Sequence, residues 1–425
     1  MESLLEYNGP RGTGESTRTL VIRHIVYWVI LGIIMGVERL YNQGLLEWSV
    51  IAMLWIQNRE TEAGKVIFSI LNTIGIGAPY YLTGIYFINK NSERGRGFYH
   101  ILFISGALYL MSITKIGYGE PRMFWVDKDI VPSECTAEYG NPSGHTLLAI
   151  GYPMFLWLDV FENREMREKY AEKMTGKSIA ALIFAVLWSF TIGFARLYVR
   201  VHSWNQIVYG WQLGLWVAFY FHFCIRDQII NHVSTLAQTS RLDSSTRTKL
   251  ILTATLLYFL MVGTLVLAYL LRANYEKNHQ DMVDGWISEI QRKCPKKLNG
   301  KSRFFAFGSI VMSGLSSLAY GAYLGIIAYR EKAGRVWPSM LNTDFKETLI
   351  RFLFHLIPIP IAAIMFISLG NWPVVVQIIF QGFLPLTIVG FLVTFLPLLI
   401  SKSLGYINLD SQPRNYLFDA DQEKY

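Results

Sequence analysis

Residues 139–160 read YGNPSGHTLLAIGYPMFLWLDV. The first six positions hold Asn141, Pro142 and two glycines, the residues of a tight turn. From His145 onward the segment turns apolar and stays so to position 158, where Asp159 follows. A membrane-crossing helix needs about 20 mostly apolar residues. The stretch therefore reads as a turn feeding the start of a membrane helix. Further runs of the same kind lie at 67–88, 98–114, 178–195, 205–224, 249–271, 304–328, 348–369 and 374–400. With 145–160 they make about nine spans by hydropathy. A weaker run, Ile25–Val37, is bordered by Arg23 and by Glu38-Arg39 and is read as a tenth span or an interfacial helix. Residues 45–56 read as a short amphipathic or re-entrant piece. The expected fold is all-α, a polytopic transmembrane helix bundle of about nine or ten spans.

Composition agrees. The 425 residues are 52% hydrophobic and 16% charged, where soluble domains average about 25% charged. The net charge of +8 comes without a basic block interleaved with aromatics, so no nucleic acid partner is expected. It is read instead as basic loops that face the cytosol. Such loops are 89–97, 161–177, 225–248 and 329–347. The opposite face then receives 115–144, 196–204, 272–303 and the turn at 370–373. Residues 272–303 break the charge rule, since they carry Lys293, Lys296, Lys297, Lys301 and Arg303. Residues 1–23 lack the apolar core of a cleavable signal, so insertion is expected through an internal span. Three cysteines form neither a disulfide framework nor a zinc pattern. Cys135 and Cys294 both fall on the non-cytosolic face, either as a disulfide or as two free thiols.

Three segments on that face carry chemistry. Lys115-Ile-Gly-Tyr-Gly-Glu-Pro-Arg122 sets a lysine and an arginine seven positions apart at the end of a span. Tyr139-Gly-Asn-Pro-Ser143-Gly144-His145 opens the next one; a helix start offers free N–H groups to phosphate, Ser143 adds a hydroxyl, and His145 titrates near neutrality. Ala195-Arg196-Leu-Tyr-Val-Arg200-Val-His202-Ser-Trp-Asn205-Gln206 places Arg196 and His202 between two further spans. Each segment alone has a plain reading: a snorkelling lysine, a helix cap, a stop-transfer charge. Together, at one membrane face, they form one pattern: K-x6-R, then PSGH, then R-x5-H.

That pattern resembles the type-2 phosphatidic acid phosphatase superfamily, over roughly residues 65–225. About nine spans, four of them after the third segment, look like the glucose-6-phosphatase arrangement. The lead-in Ala137-Glu138-Tyr139-Gly140 looks like the sphingosine-1-phosphate phosphatases. The resemblance implies three parts: an N-terminal segment over 1–64, a catalytic core over 65–225, and a C-terminal bundle of about four spans over 226–425. It implies a membrane phosphatase of lipid metabolism, without a cofactor or a metal, acting on a phosphorylated lipid or a sugar phosphate. By resemblance His202 is the nucleophile and His145 the acid and base. Lys115, Arg122, Ser143, Gly144 and Arg196 would bind phosphate. The implied location is the endoplasmic reticulum or another endomembrane, among membrane lipids, with the site on the lumenal side. Met123 stands where the family pattern has proline, Ala195 where it has serine, and Gln206 where it has the aspartate that orients the nucleophile. Gln206 would take over the orienting role without the charge. These departures motivate a second function class, a weakened family member acting as a subunit of a membrane-protein complex. A transporter would instead show paired broken helices in its two halves, and none is evident. Arg200 is read as solvated or meeting lipid phosphate, with contact to a substrate headgroup as the alternative.

Overall fold

The computed structural model describes residues 17–75, 94–161, 164–238, 242–295, 313–333 and 374–404, with scattered positions at 80, 82–83, 305, 309, 349, 352–358 and 360. The expected span at 348–369, the second half of 67–88 and the first part of 304–328 lie wholly or largely outside the described residues. Among the described residues every element is helical. In chain order these are α1 (Thr17–Gln57), α2 (Glu62–Ile74), α3 (Arg94–Tyr118), the single turn α4 (Met123–Val126), α5 (Gly144–Phe161), α6 (Arg164–Tyr198) and α7 (Trp204–Tyr220). A π turn, Phe221–Ile225, carries α7 into α8 (Arg226–Gln238). Then come α9 (Ser244–Asn278), α10 (Gln280–Lys293), α11 (Ser317–Ala333) and α12 (Leu384–Ser403), the last entered through a second π turn, Ile378–Phe383.

Among the described residues, five helical stretches are long and apolar enough to cross a membrane: Thr17–Gln57, Gly95–Val126, Gly176–Tyr198, Ser244–Asn278 and Ile378–Pro397. Their outer faces fit that role. On α9, Leu252, Leu256, Leu257, Phe259 and Leu260 are all exposed, an apolar surface that water would not tolerate at this extent.

Two sequence expectations change here. The weak run at 25–37 and the piece at 45–56 are one continuous helix, α1. Glu38 and Arg39 made the two look separate. Glu38 is fully buried against the core, where it accepts Asn141 Nδ2–H at 3.0 Å. A charged residue that faces protein does not interrupt a membrane helix. Likewise, 272–303 is not simply a loop, because α9 runs on to Asn278 and α10 follows.

The helix pair that matters most for function is α5 with α7. Their backbones meet at glycine: a Cβ on Gly214 would run into the Leu147 carbonyl, and one on Gly151 would sit 3.0 Å from the Gly214 carbonyl. Small residues at a helix crossing let two backbones come this close. Helix α1 packs along α7, with Tyr41 donating to Gln212 at 2.6 Å and Trp204 N–H donating to Ser49 at 2.7 Å. At the far end of the core, Asp159 is fully buried and receives Arg226 Nε at 2.8 Å, His100 at 3.3 Å, and Arg96. That cluster ties α3, α5 and α8 together, which fixes both ends of the bundle.

Cys135 and Cys294 form a disulfide. It joins the loop before α5 to the end of α10, so residues 127–143 and 294 share one face. The lysine-rich stretch that broke the charge rule thus reaches the same face as the motif segments at Cys294. Cross-linking across 159 positions removes much of the freedom of the unfolded chain. Cys135→Ser is therefore expected to cost about 2–5 kcal/mol, read as a lower melting temperature in detergent. Wild-type protein should melt equally early under reductant; identical melting with and without reductant would contradict the bond's role.

Candidate active site

Helix α3 ends at Tyr118 because Gly119 follows with φ +56°, the left-handed turn that glycine adopts freely. Its amide donates back to the Lys115 carbonyl at 2.9 Å. Arg272 of α9 closes the same end, donating to the Ile116 carbonyl at 2.9 Å and the Gly117 carbonyl at 2.6 Å. The free carbonyls of a helix C-terminus are well met by a cation. Lys115 is thereby presented on the last turn, and the chain is turned toward Arg122.

Between α4 and α5 the chain has no helix to hold it, and the rest of the protein does so instead. Arg200 donates to the Val131 carbonyl and to Ser133 Oγ, the latter at 2.7 Å, and pairs with Glu60 at 2.8 Å. Tyr139 O–H donates to Glu276. Arg122 Nε donates to the Glu138 carbonyl at 2.7 Å. Arg200 is thus buried and structural, with φ 58°, and neither solvated nor set toward lipid. Its hydrogen bonds maintain a backbone conformation that non-glycine residues rarely adopt.

The residues singled out from the three segments converge. A cavity of about 440 Å³ is lined by Lys115, Arg122, Gly144, His145, Arg196 and His202. Lys115, Arg122, Arg196 and His202 are each at most 5% exposed. Ser143 and Gln206 do not line the cavity but stand immediately behind it. Ser143 occupies the helix-cap position, and its carbonyl accepts Leu147 N–H at 3.1 Å. Its hydroxyl is buried without a partner and does not cap. His145 Nε2 and Arg196 Nε are likewise buried and unpartnered. Buried polar atoms are nearly always satisfied, so the unmet nitrogens of His145 and Arg196 on the wall of one cavity point to a ligand that meets them.

His202 is held at both ring nitrogens. Its Nδ1–H donates to Gln206 Oε1 at 3.1 Å, and Nε2 accepts from Arg122 Nη1 at 3.1 Å. The amide of Gln206 can face only one way, because its Nε2 donates to the Pro121 carbonyl at 3.1 Å. Its oxygen must therefore face the ring, which puts the proton on Nδ1 and the lone pair on Nε2, where Arg122 Nη1 meets it. Burial, and then the positive charge of Arg122, Arg196 and Lys115, holds His202 well below its ordinary titration range. The imidazole is neutral at pH 7, the state a nucleophile needs.

Two carboxylates enter this cationic cavity that the sequence reading did not assign. Glu138 pairs with Lys115 at 3.2 Å and Arg122 at 3.7 Å. Glu134 pairs with Arg196 at 3.3 Å and accepts Asn72 Nδ2–H at 3.1 Å. Burial works to raise the Glu138 carboxyl, but Lys115 and Arg122 overcome it and hold the group below the usual carboxylate range. An ionised Glu138 thus sits where an anionic substrate group would bind. A phosphate dianion carries twice its charge and can replace it on the same cations. Leu108, Met111 and Leu148 add apolar surface to the cavity lining.

No curated protein and no solved structure matches the chain. Residues 96–230, the stretch that contains all three motif segments, match the family model of the PAP2 superfamily, and that match suggests phosphatase activity.

Proposed function

We propose that this chain is a membrane phosphatase that hydrolyses a phosphate monoester, with a lipid phosphate as its substrate, through a phosphohistidine on His202. The observation that carries the reading is that His202, with Nδ1 held by Gln206 and Nε2 by Arg122, lines one cavity with His145 and the cations Lys115, Arg122 and Arg196. Uncatalysed monoester hydrolysis is among the slowest reactions known, and three preorganised cations supply the charge stabilisation it lacks. In the first step Arg122 turns from His202 to the phosphate oxygens, and the freed Nε2 bonds to phosphorus while the bond from phosphorus to the alcohol oxygen breaks. His145, protonated once the phosphate dianion offsets the surrounding cations, gives that oxygen a proton. In the second step His145 takes a proton from water, the water oxygen bonds to phosphorus, and the N–P bond breaks. Inorganic phosphate leaves and both histidines return to their starting state. Because the side chains supply the positive charge, the cycle calls for no metal.

A lipid is favoured over a sugar phosphate by the apolar surface of Leu108, Met111 and Leu148, which can receive an acyl or sphingoid chain. The disulfide supports a lumenal site in an endomembrane, since such bonds persist in oxidising compartments. The remaining apolar runs bring the proposed count to nine or ten spans. We retain the closeness to glucose-6-phosphatase and to the sphingosine-1-phosphate phosphatases as part of this reading. A second reading, a weakened member serving a membrane complex, draws on Glu134 and Glu138 filling the cation sites.

The test is phosphate release by purified protein in lipid nanodiscs from phosphatidate, a sphingoid-base phosphate and glucose 6-phosphate. Release from a lipid substrate is expected to exceed that from glucose 6-phosphate roughly 10-fold or more. Equal or greater release from the sugar phosphate would overturn the lipid assignment. No release from any of the three would overturn the phosphatase reading in favour of the second one.

A further inference from the structure

Gln206 leaves His202 oriented but without a counter-charge. The structure places a carboxylate one hydrogen bond further back. Gln206 Nε2 donates to Glu120 Oε1 at 2.9 Å, so the chain runs His202 Nδ1–H to Gln206 Oε1 and Gln206 Nε2–H to Glu120. Asn205 Nδ2 also donates to Glu120 Oε1, at 2.7 Å. Asn141 Nδ2 and Asn42 Nδ2 donate to Oε2 at 2.8 and 3.0 Å. Four amide donors therefore surround one carboxyl group, which is the pattern an acceptor-only carboxylate satisfies.

No lysine or arginine among the described residues pairs with Glu120. Charged groups of the neighbouring elements are spoken for elsewhere. Arg39 of α1 lies over the Tyr118 ring and against Glu38. Arg272 of α9 donates to the end of α3. Glu38 shares the amides of Asn42 and Asn141 with Glu120, so a second negative charge stands behind the first. Nearest the ring, on the cavity side, are Arg122 and the other cations of the site.

We propose that Glu120 is a positioning residue of the His202 centre, supplying through the Gln206 carboxamide the negative charge that the phosphorylated ring requires. The proposal rests on the phosphatase reading above. When Nε2 bonds to phosphorus the imidazole becomes cationic with Nδ1 still protonated. A carboxylate hydrogen-bonded to the far side of the amide polarises it, making its oxygen a stronger acceptor for that N–H. The departure at position 206 is then a relocation of the charge and not its loss. The local geometry protects this path. A Cβ on Gly140 would collide with the Gln206 amide, and the Gly140 N–H donates to the Glu120 carbonyl at 2.9 Å.

The experiment compares wild type, His202→Ala, Glu120→Gln, Glu120→Asp and the exchange variant Glu120→Gln/Gln206→Glu on the best substrate of the panel. Glu120→Gln is expected to lower kcat about 10- to 100-fold with KM little changed. Removing the negative charge makes the ring harder to protonate, so the acid limb of kcat/KM should move to lower pH. Glu120→Asp should retain part of the activity. The exchange variant, which sets a carboxylate directly on Nδ1, should recover most of the loss. If wild type is active and His202→Ala is dead, a Glu120→Gln protein with unchanged kcat and pH profile overturns this inference alone. A fall in activity matched by a fall in melting temperature, with no recovery in the exchange variant, also overturns it, as a structural role only. An inactive wild type, or a fully active His202→Ala, overturns the phosphatase reading and this inference with it.

Discussion

Replacing His202 with alanine is expected to lower kcat/KM for phosphate release by on the order of 10³-fold or more, with only a modest fall in melting temperature. The two effects separate because of what surrounds the ring. Arg122 Nη1, which donates to His202 Nε2, also donates to the Val201 carbonyl at 2.6 Å. It keeps a partner when the imidazole goes. Gln206 loses one acceptor contact but keeps its bonds to Glu120 and Pro121. The stability cost should stay near the 1–3 kcal/mol of one unmet buried group. Chemistry has no such fallback, because in the proposed cycle His145, which lines the same cavity, is the proton donor and cannot serve as nucleophile as well. Brief incubation of wild type with substrate, followed by alkaline quench, should leave label on the protein that acid removes. The alanine variant should carry none. Substantial label on the variant would move the nucleophile elsewhere.

The site was legible in the sequence to the extent that its chemistry is local. Lys115 and Arg122, or Arg196 and His202, lie within eight positions of each other, and helix ends deliver each pair to one face. Residue type and spacing were enough to group them, and those four share one cavity with His145. The same reasoning could not find Glu134 and Glu138. Their position depends on the path of residues 127–143, and that path is set by Glu276, Cys294, Arg200 and Arg122. Contacts spaced 137 and 159 positions along the chain leave no local signal. Arg200 was misread for a related reason. An arginine in a short polar loop looks solvated until Glu60, from before α2, covers it. Helix α1 was split because hydropathy counts Glu38 as a break, whereas a buried partner, Asn141, removes that penalty. Glu120 stood inside the first segment all along. Only the meeting of α3 with α7 reveals what its carboxylate touches.

That same dependence on contacts far apart in the chain makes Arg122 the second position of large effect. Its guanidinium holds three carbonyls, those of Glu138 at 2.7 Å, Val201 at 2.6 Å and Tyr139 at 3.4 Å, as well as His202 Nε2. It therefore joins the loop before α5 to the loop before α7, and so joins His145 to His202. Arg122→Ala would leave these carbonyls unmet in a buried setting and leave Glu138 with Lys115 alone. At about 1–3 kcal/mol for each orphaned group, the loss is expected to reach roughly 3–5 kcal/mol, with a large drop in melting temperature and in yield of folded protein. Arg122→Lys separates structure from catalysis. A lysine keeps the charge and can satisfy one or two carbonyls, but its single ammonium cannot reproduce the fork. It should fold, melt a few degrees lower, and lose about 10²-fold or more in kcat/KM. The two loops would no longer be held in one register, so His145 and His202 would meet the same phosphorus less often. A lysine variant with wild-type kcat/KM would show that charge alone suffices at this position, and that the histidines are aligned without the arginine.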